Sequence, residues 1–244
     1  MKTAAKPLVK ICGIKSADEA RAVLEVGAKF GRNLANASGE NFNKKTGATQ
    51  SESSQSEARN FKNGVSFLGV IFAPSKRRVS AAVAREISSA AHKAGAKCAG
   101  VFAGQSDCEI TEICEFVPLD VAQIYGEISK NLRANLHDLG VEIWQVFSVA
   151  GELPNADFSR CDMPLFDYKG ENLGGNGAKF NWEILKGFKL KFALAGGIGE
   201  ENILEALKFR PFLLDINSKV EDENLQKIPT KIERILEILT KENR

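Results

Sequence analysis

Residues 8–14 read Leu8-Val9-Lys10-Ile11-Cys12-Gly13-Ile14, with Ser16 and Ala17 close behind. The apolar run predicts a short β-strand closed by glycine, and Ser16 is the expected cap of a helix over Ala17–Val26. Strand side chains alternate, so Lys10 and Cys12 point to the same side. A free cysteine has a pKa of about 8.5, and a nearby ammonium favours the thiolate, the form that can act as a base. The competing reading makes Cys12 a small buried apolar residue, as most free cysteines are.

Outward from this stretch, strand-like and helix-like segments keep alternating. Further strands are expected over Val65–Phe72, Lys97–Ala103, Val117–Tyr125, Val141–Val149, Met163–Tyr168, Phe192–Ala195 and Phe212–Ile216. Helices are expected over Ala81–Ala94, up to Phe116, from Ser129 to Leu139, and over Trp182–Gly187, Glu200–Phe209 and Ile228–Leu239. The segment Ala150–Cys161 contains Gly151 and Pro154 and is too broken for a full fifth helix. Near-continuous apolar strands indicate a parallel sheet buried on both faces. Eight such units in 244 residues predict an α/β fold, a closed (β/α)8 TIM barrel, as a single domain over 1–244. An open doubly wound sheet would carry a GxGxxG turn after its first strand, and none is present.

One stretch breaks the pattern. Residues 31–63 are rich in Asn, Ser, Gly, Lys and Glu and almost free of large apolar side chains. Such a segment buries too little surface to offset its ordering entropy, so it reads as a long polar insertion after the first helix.

Composition narrows the function. A formal net charge of +2, with acids and bases interspersed, argues against a nucleic-acid surface. Five cysteines without CxxC spacing point to a reducing, cytoplasmic setting rather than a disulfide framework. The two histidines, His92 and His137, lie far from any Cys/His ligand pattern, so no metal is expected. No signal peptide is expected from residues 1–7, and no apolar run approaches the ~18 residues of a membrane span.

Barrel chemistry gathers at the carboxyl ends of the strands. Those ends carry Cys12, Gln123 and Tyr125, Asp167, Gly196-Gly197, and Asp215 with Asn217 and Ser218; Arg77 follows strand two. Gly196-Gly197 before a helix start suits an anion, although a simple tight turn would use the same residues. Asp167 faces the mouth from across the barrel and would complement a thiol base, or else pair with Lys169. Asp215 is similarly placed, with a supporting or capping role as the alternative. Arg77 can grip a carboxylate in bidentate fashion, with Lys76 and Arg78 as neighbours in the same basic turn.

Taken together, these motifs resemble the phosphoribosylanthranilate isomerase family of tryptophan biosynthesis. The matching pieces are KICGI at 10–14, SKRRVS at 75–80, LDVAQIYG at 119–126, LFD at 165–167, GGNGAKFNW at 174–182, LAGGIGEEN at 194–202 and DINSKVE at 215–221. The resemblance spans the chain apart from 31–63. It implies an Amadori rearrangement of an aminoaldose to an aminoketose, with Asp167 as acid, Cys12 as base and no cofactor. It implies that Arg77 holds the anthranilate carboxylate and that Asp215 faces the anthranilate nitrogen or stabilises the iminium. Gly175, Gly177, Gly196, Gly197 and Ser218 would bind the phosphate, with Gln123 as a further substrate contact.

The implied partner is a phosphorylated small molecule, without nucleic acid or membrane; association with other enzymes of the pathway stays open. Three departures stand out: Tyr125 where the family usually has histidine, Lys219 where it has glycine, and the tail Asn224–Ile228, which keeps only the lysine of the family pattern. The related histidine-pathway aminoaldose isomerase uses two aspartates, one of them where Cys12 stands. A non-catalytic phosphosugar-binding barrel would be expected to have lost some of Cys12, Asp167, Arg77 and Asp215.

Overall fold

The computed structural model describes residues 6–37, 63–168 and 179–242. The strands are β1 (Leu8–Cys12), β2 (Phe67–Ile71), β3 (Lys97–Ala103), β4 (Val121–Tyr125), β5 (Glu142–Val149), β6 (Met163–Tyr168), β7 (Ala193–Leu194) and β8 (Leu213–Ile216). They pair in chain order, every pair parallel, and β8 closes back onto β1. The expected (β/α)8 barrel is therefore present. Among the described residues its helices are α1 (Ala17–Ala37), α2 (Ala81–Lys93), α3 (Asp107–Phe116), α4 (Lys130–Asp138), α5 (Ile203–Leu207) and α6 (Pro229–Lys241).

Strand alternation divides the core in two. Val9 and Ile11 join the apolar layer between strands and helices. Leu8 and Cys12 point into the barrel, where Leu8 shares a cluster with Phe67, Val121, Trp144, Met163 and Leu165. Ser80, Ser106 and Ser129 cap the three helices that follow them, and Ser106 forms a reciprocal capping box with Glu109.

The amino-terminal side of the barrel repeats one device. Asp120 and Asp162, each just before an even-numbered strand, accept the backbone N–H of Cys98 and Ile143 at 2.8 and 2.7 Å. His92 and His137 hold the same carboxylate oxygens at 2.8 and 3.0 Å. Both histidines therefore fasten helix ends to strand starts, far from the chemistry.

The structure departs from the sequence reading at the first helix, at Asn63 and before β4. The helix expected to end at Val26 continues to Ala37, because no proline stops it and residues 32–37 include leucine and alanine. Residues 38–62 of the polar stretch lie outside the described residues. Its last residue, Asn63, belongs to the barrel: it is buried, donating to Leu24 O and accepting from Val65 N, both at 3.0 Å. Residues 117–120 are not strand; Pro118 offers no ladder donor, and β4 begins at Val121.

The fifth helix is reduced to a 3-10 turn at Phe158–Arg160. Phe158 packs edge-on against Phe147, Phe166 and Phe188, and Phe166 and Phe188 continue the cluster to Phe192, covering strand faces a helix would otherwise cover. No described helix is long and apolar enough to cross a membrane.

Candidate active site

Lys10 stands opposite Asp215 in the β1–β8 register, and Cys12 stands opposite Gly69 in the β1–β2 register. Lys10 is fully buried and uses its three donors on three strands. It donates to Asp215 Oδ2 at 2.8 Å, Gln123 Oε1 at 2.5 Å and Cys12 Sγ at 3.4 Å. Burial pulls the ammonium towards neutrality, but Asp215 and Cys12 outweigh it and hold its pKa above the ordinary value.

The expected activation of Cys12 is corrected in its net effect. Burial pushes the thiol up, Lys10 pulls it down, Asp215 pushes it up again and Lys227 pulls it down; the balance lies above the ordinary value. Sequence spacing located the ammonium correctly but could not show how deeply the sulfur is buried. Free Cys12 therefore rests as a thiol near neutral pH.

Asp167, at the end of β6, is held through both oxygens. Tyr125 donates its hydroxyl to Oδ2 and the Tyr168 N–H donates to Oδ1, each at 2.8 Å. Burial raises its pKa to about 6 despite the Tyr125 bond, and Asp215 adds to the rise. That is the environment of a carboxyl able to serve as a general acid. The alternative partner, Lys169, lies outside the described residues.

Asp215 and Gln123 are brought to Lys10 rather than left open. The second Asp215 oxygen, Oδ1, is buried and has no hydrogen-bond partner among the described residues. Among the described residues it is the unmet acceptor of this cluster, a costly arrangement when buried.

Arg77 is half-buried, while Lys76 and Arg78 are exposed, so Arg77 is the member of the basic turn that points inward. Its Nε donates to Glu221 Oε1 and Oε2 at 2.9 and 3.1 Å, and Nη2 donates to Oε2 at 2.6 Å. Lys227 Nζ donates to Glu221 Oε1 at 2.6 Å and Asn217 Oδ1 at 2.9 Å. One carboxylate thus bridges the two cations, and Glu19 Oε1 accepts the Lys227 backbone N–H at 2.8 Å. Gly13 makes room for the cluster: with φ of 80°, a methyl group there would lie 2.9 Å from Arg77 Cδ and 2.8 Å from Asn217 Oδ1.

After β7, Gly196 and Gly197 have φ of 90° and 62°, a conformation that strongly favours glycine. The helix start expected at Glu200 is not reached until Ile203. Asn202 fastens the intervening turn, accepting from Gly199 N and donating to Gly197 O, both at 2.9 Å. Ser218 begins a 3-10 turn beyond β8. Lys219 turns its ammonium to Glu201 Oε1 at 2.6 Å. Gly175 and Gly177 lie outside the described residues.

Sequence reasoning missed Gly69, Glu221 as the partner of Arg77, and Tyr125 as a partner of Asp167. No signal marked Gly69 apart from a glycine inside an apolar strand. Among the described residues no group of His, Cys, Asp and Glu could hold a metal.

A sequence profile described as N-(5'phosphoribosyl)anthranilate (PRA) isomerase matches residues 43–237. That span begins beyond β1; the fold itself sets β1 between β2 and β8. The N-(5'-phosphoribosyl)anthranilate isomerase of Campylobacter jejuni is 40% identical over 177 residues, 72% of this chain and 89% of the relative. The crystal structure of phosphoribosyl anthranilate isomerase from Thermus thermophilus aligns with a TM-score of 0.68 and 25% identity, covering 96% of this chain and 98% of that one. Another solved isomerase, in complex with reduced 1-(o-carboxyphenylamino)-1-deoxyribulose 5-phosphate, aligns with a TM-score of 0.65 at 21% identity, over 96% of this chain and 99% of that one. With the profile matching most of its length and a curated relative sharing two fifths of the aligned residues, the chain belongs to the phosphoribosylanthranilate isomerase family.

Proposed function

We propose that Cys12 and Asp167 divide between them the two proton transfers of the isomerase reaction. The protein is a phosphoribosylanthranilate isomerase of tryptophan biosynthesis. The reaction converts N-(5-phosphoribosyl)anthranilate into 1-(2-carboxyphenylamino)-1-deoxyribulose 5-phosphate. Protonated Asp167 gives its proton to the furanose ring oxygen. The C1′–O bond breaks as the anthranilate nitrogen lone pair forms a C1′=N iminium. The Cys12 thiolate then takes the C2′ proton, and the released electron pair forms the C1′=C2′ enolamine and neutralises the nitrogen. Loss of the O2′ proton and protonation at C1′ give the ketone. The iminium is the electron sink, so the steps need no cofactor.

The observation that carries this reading is the pairing of two buried groups of different chemistry on β1 and β6. One is a thiol beside a fixed ammonium, and the other is a carboxyl raised to about 6. Asp215 Oδ1, unmet among the described residues, suits the anthranilate N–H and the iminium. The Nε and Nη2 side of Arg77 is fixed by Glu221, so its remaining Nη1 side would meet the anthranilate carboxylate. Gln123 acts through Lys10. Gly196, Gly197 and Ser218, with Gly175 and Gly177, would form the phosphate end. The analogue bound by the solved relative carries a phosphate and supports a phosphorylated substrate here. The free cysteines support a reducing, cytoplasmic setting.

Deuterium at C2′ of the substrate tests the division of labour. In Cys12→Ser, proton abstraction limits turnover and deuteration slows it. In Asp167→Asn, ring opening limits turnover and deuteration has no effect. Equal isotope effects in the two variants would contradict the assignment.

A further inference from the structure

We infer that Tyr125 is a positioning residue for the acid: its hydroxyl holds Asp167 in place and stabilises the carboxylate left when the proton has gone to the ring oxygen. This rests on the assignment of Asp167 as the acid. Tyr125 ends β4 and Asp167 nears the end of β6, so the 2.8 Å bond reaches over β5 rather than joining neighbouring strands. The second oxygen is fixed independently by the Tyr168 N–H at 2.8 Å. A third neighbour leaves room for the carboxyl. Gly196 on the loop after β7 lacks a side chain, and a methyl group there would lie 3.1 Å from Asp167 Oδ1 and 3.0 Å from Tyr168 N. The carboxyl is thus held by one donor on each oxygen.

The hydroxyl can only donate to an ionised Asp167. Burial and the fields of Asp167, Asp215 and Cys12 all keep the Tyr125 phenol protonated, well above its ordinary pKa. A donor to a carboxylate favours the charged form, so Tyr125 opposes the burial that raises Asp167. Among the described residues, the charged and polar groups acting on this carboxyl are Tyr125 from β4, the Tyr168 N–H, Asp215 from β8 and Lys10 from β1. Lys10 favours the carboxylate and Asp215 disfavours it. Tyr125 is the one side chain among them that bonds directly to Asp167.

The test follows the Asp167 carboxyl resonance through a pH titration of the full chain labelled with [γ-13C]aspartate. The Asp167→Asn spectrum identifies the signal. Tyr125→Phe is expected to move the midpoint up by about one pH unit, because one hydrogen bond to a charged group is lost. The low-pH break in kcat/KM should move with it. Replacing the Tyr125 phenol by a 3-fluorophenol keeps the packing, makes the hydroxyl a stronger donor and should move the midpoint down. This second variant decides the matter should Tyr125→Phe fail to fold. A midpoint unchanged in either folded variant, with any loss confined to KM, would overturn the proposal and leave Tyr125 a packing residue. Wild-type turnover in Asp167→Asn would instead remove Asp167 as the acid, whatever the Tyr125 variants show.

Discussion

A methyl group on Gly69 would lie 2.8 Å from Cys12 Sγ and 2.8 Å from Lys10 Cε. The absent side chain on β2 is what lets the thiol and the ammonium lie side by side within the barrel. Gly69→Ala must therefore displace one of them. We expect a stability loss of about 1–3 kcal/mol from overpacking and a fall in turnover of about 10²-fold from misplacement of the thiol. Thermal melts and steady-state kinetics check this, and near-wild-type turnover would show that the thiol position is not critical.

Asp167 and Cys12 have an inverted resting state. The acid titrates at about 6, whereas the thiol titrates above its ordinary value, so near neutral pH the proton sits on sulfur. The active form has the proton on the carboxyl instead. Below pH about 6 the carboxyl is protonated and the thiolate fraction grows with pH, so kcat/KM rises. Above that break the gain in thiolate is cancelled by loss of protonated Asp167, and the profile is flat. It falls only beyond the raised thiol pKa. Asp167→Asn should abolish the lower break; its persistence would assign that break to another group.

The same shift predicts a conflict between stability and function. The folded protein holds the Asp167 proton more tightly than the unfolded chain does, since the pKa rises from 3.8 to about 6. The stabilisation linked to that proton is full below about pH 4 and is lost as pH rises through about 6. Asp167→Asn escapes the loss. Its melting temperature should exceed that of the wild type above pH 6, by the equivalent of about 2–3 kcal/mol, with the gap closing towards pH 4. A constant gap across this range would refute the linkage.

Glu221 neutralises Arg77 and Lys227 from a nearly buried position. Burial alone would raise its pKa, but Arg77 and Lys227 together hold it below the usual carboxylate value. Glu221→Gln leaves two cations facing each other, which should cost about 3–5 kcal/mol. It also frees the guanidinium, so KM should rise more than kcat falls. An unchanged KM would argue that Arg77 does not meet the substrate.

Much of this was legible in the sequence because strand ends and apolar runs are local signals. β3 and β6 were bounded to the residue, and Cys12, Arg77, Asp167 and Asp215 all came from strand ends or the turns after them. What failed was non-local. Arg77 and Glu221 are 144 positions apart, and no local pattern links them. The depth of Cys12, which reverses the net shift of its thiol, depends on strands that close around it. The residues after Phe116 are apolar enough to imitate a strand, and only tertiary pairing shows that β4 starts later.

The most direct test is turnover itself. Phosphoribosylanthranilate is generated in situ, and loss of its anthranilate-type fluorescence is followed with the wild type, Cys12→Ala and Asp167→Asn. The account predicts rapid decay with the wild type and a loss of about 10²–10⁴-fold with each variant, each still folded by circular dichroism. Wild-type decay in either variant would take that residue out of the mechanism. Decay no faster than the spontaneous background with the wild type would contradict the account as a whole.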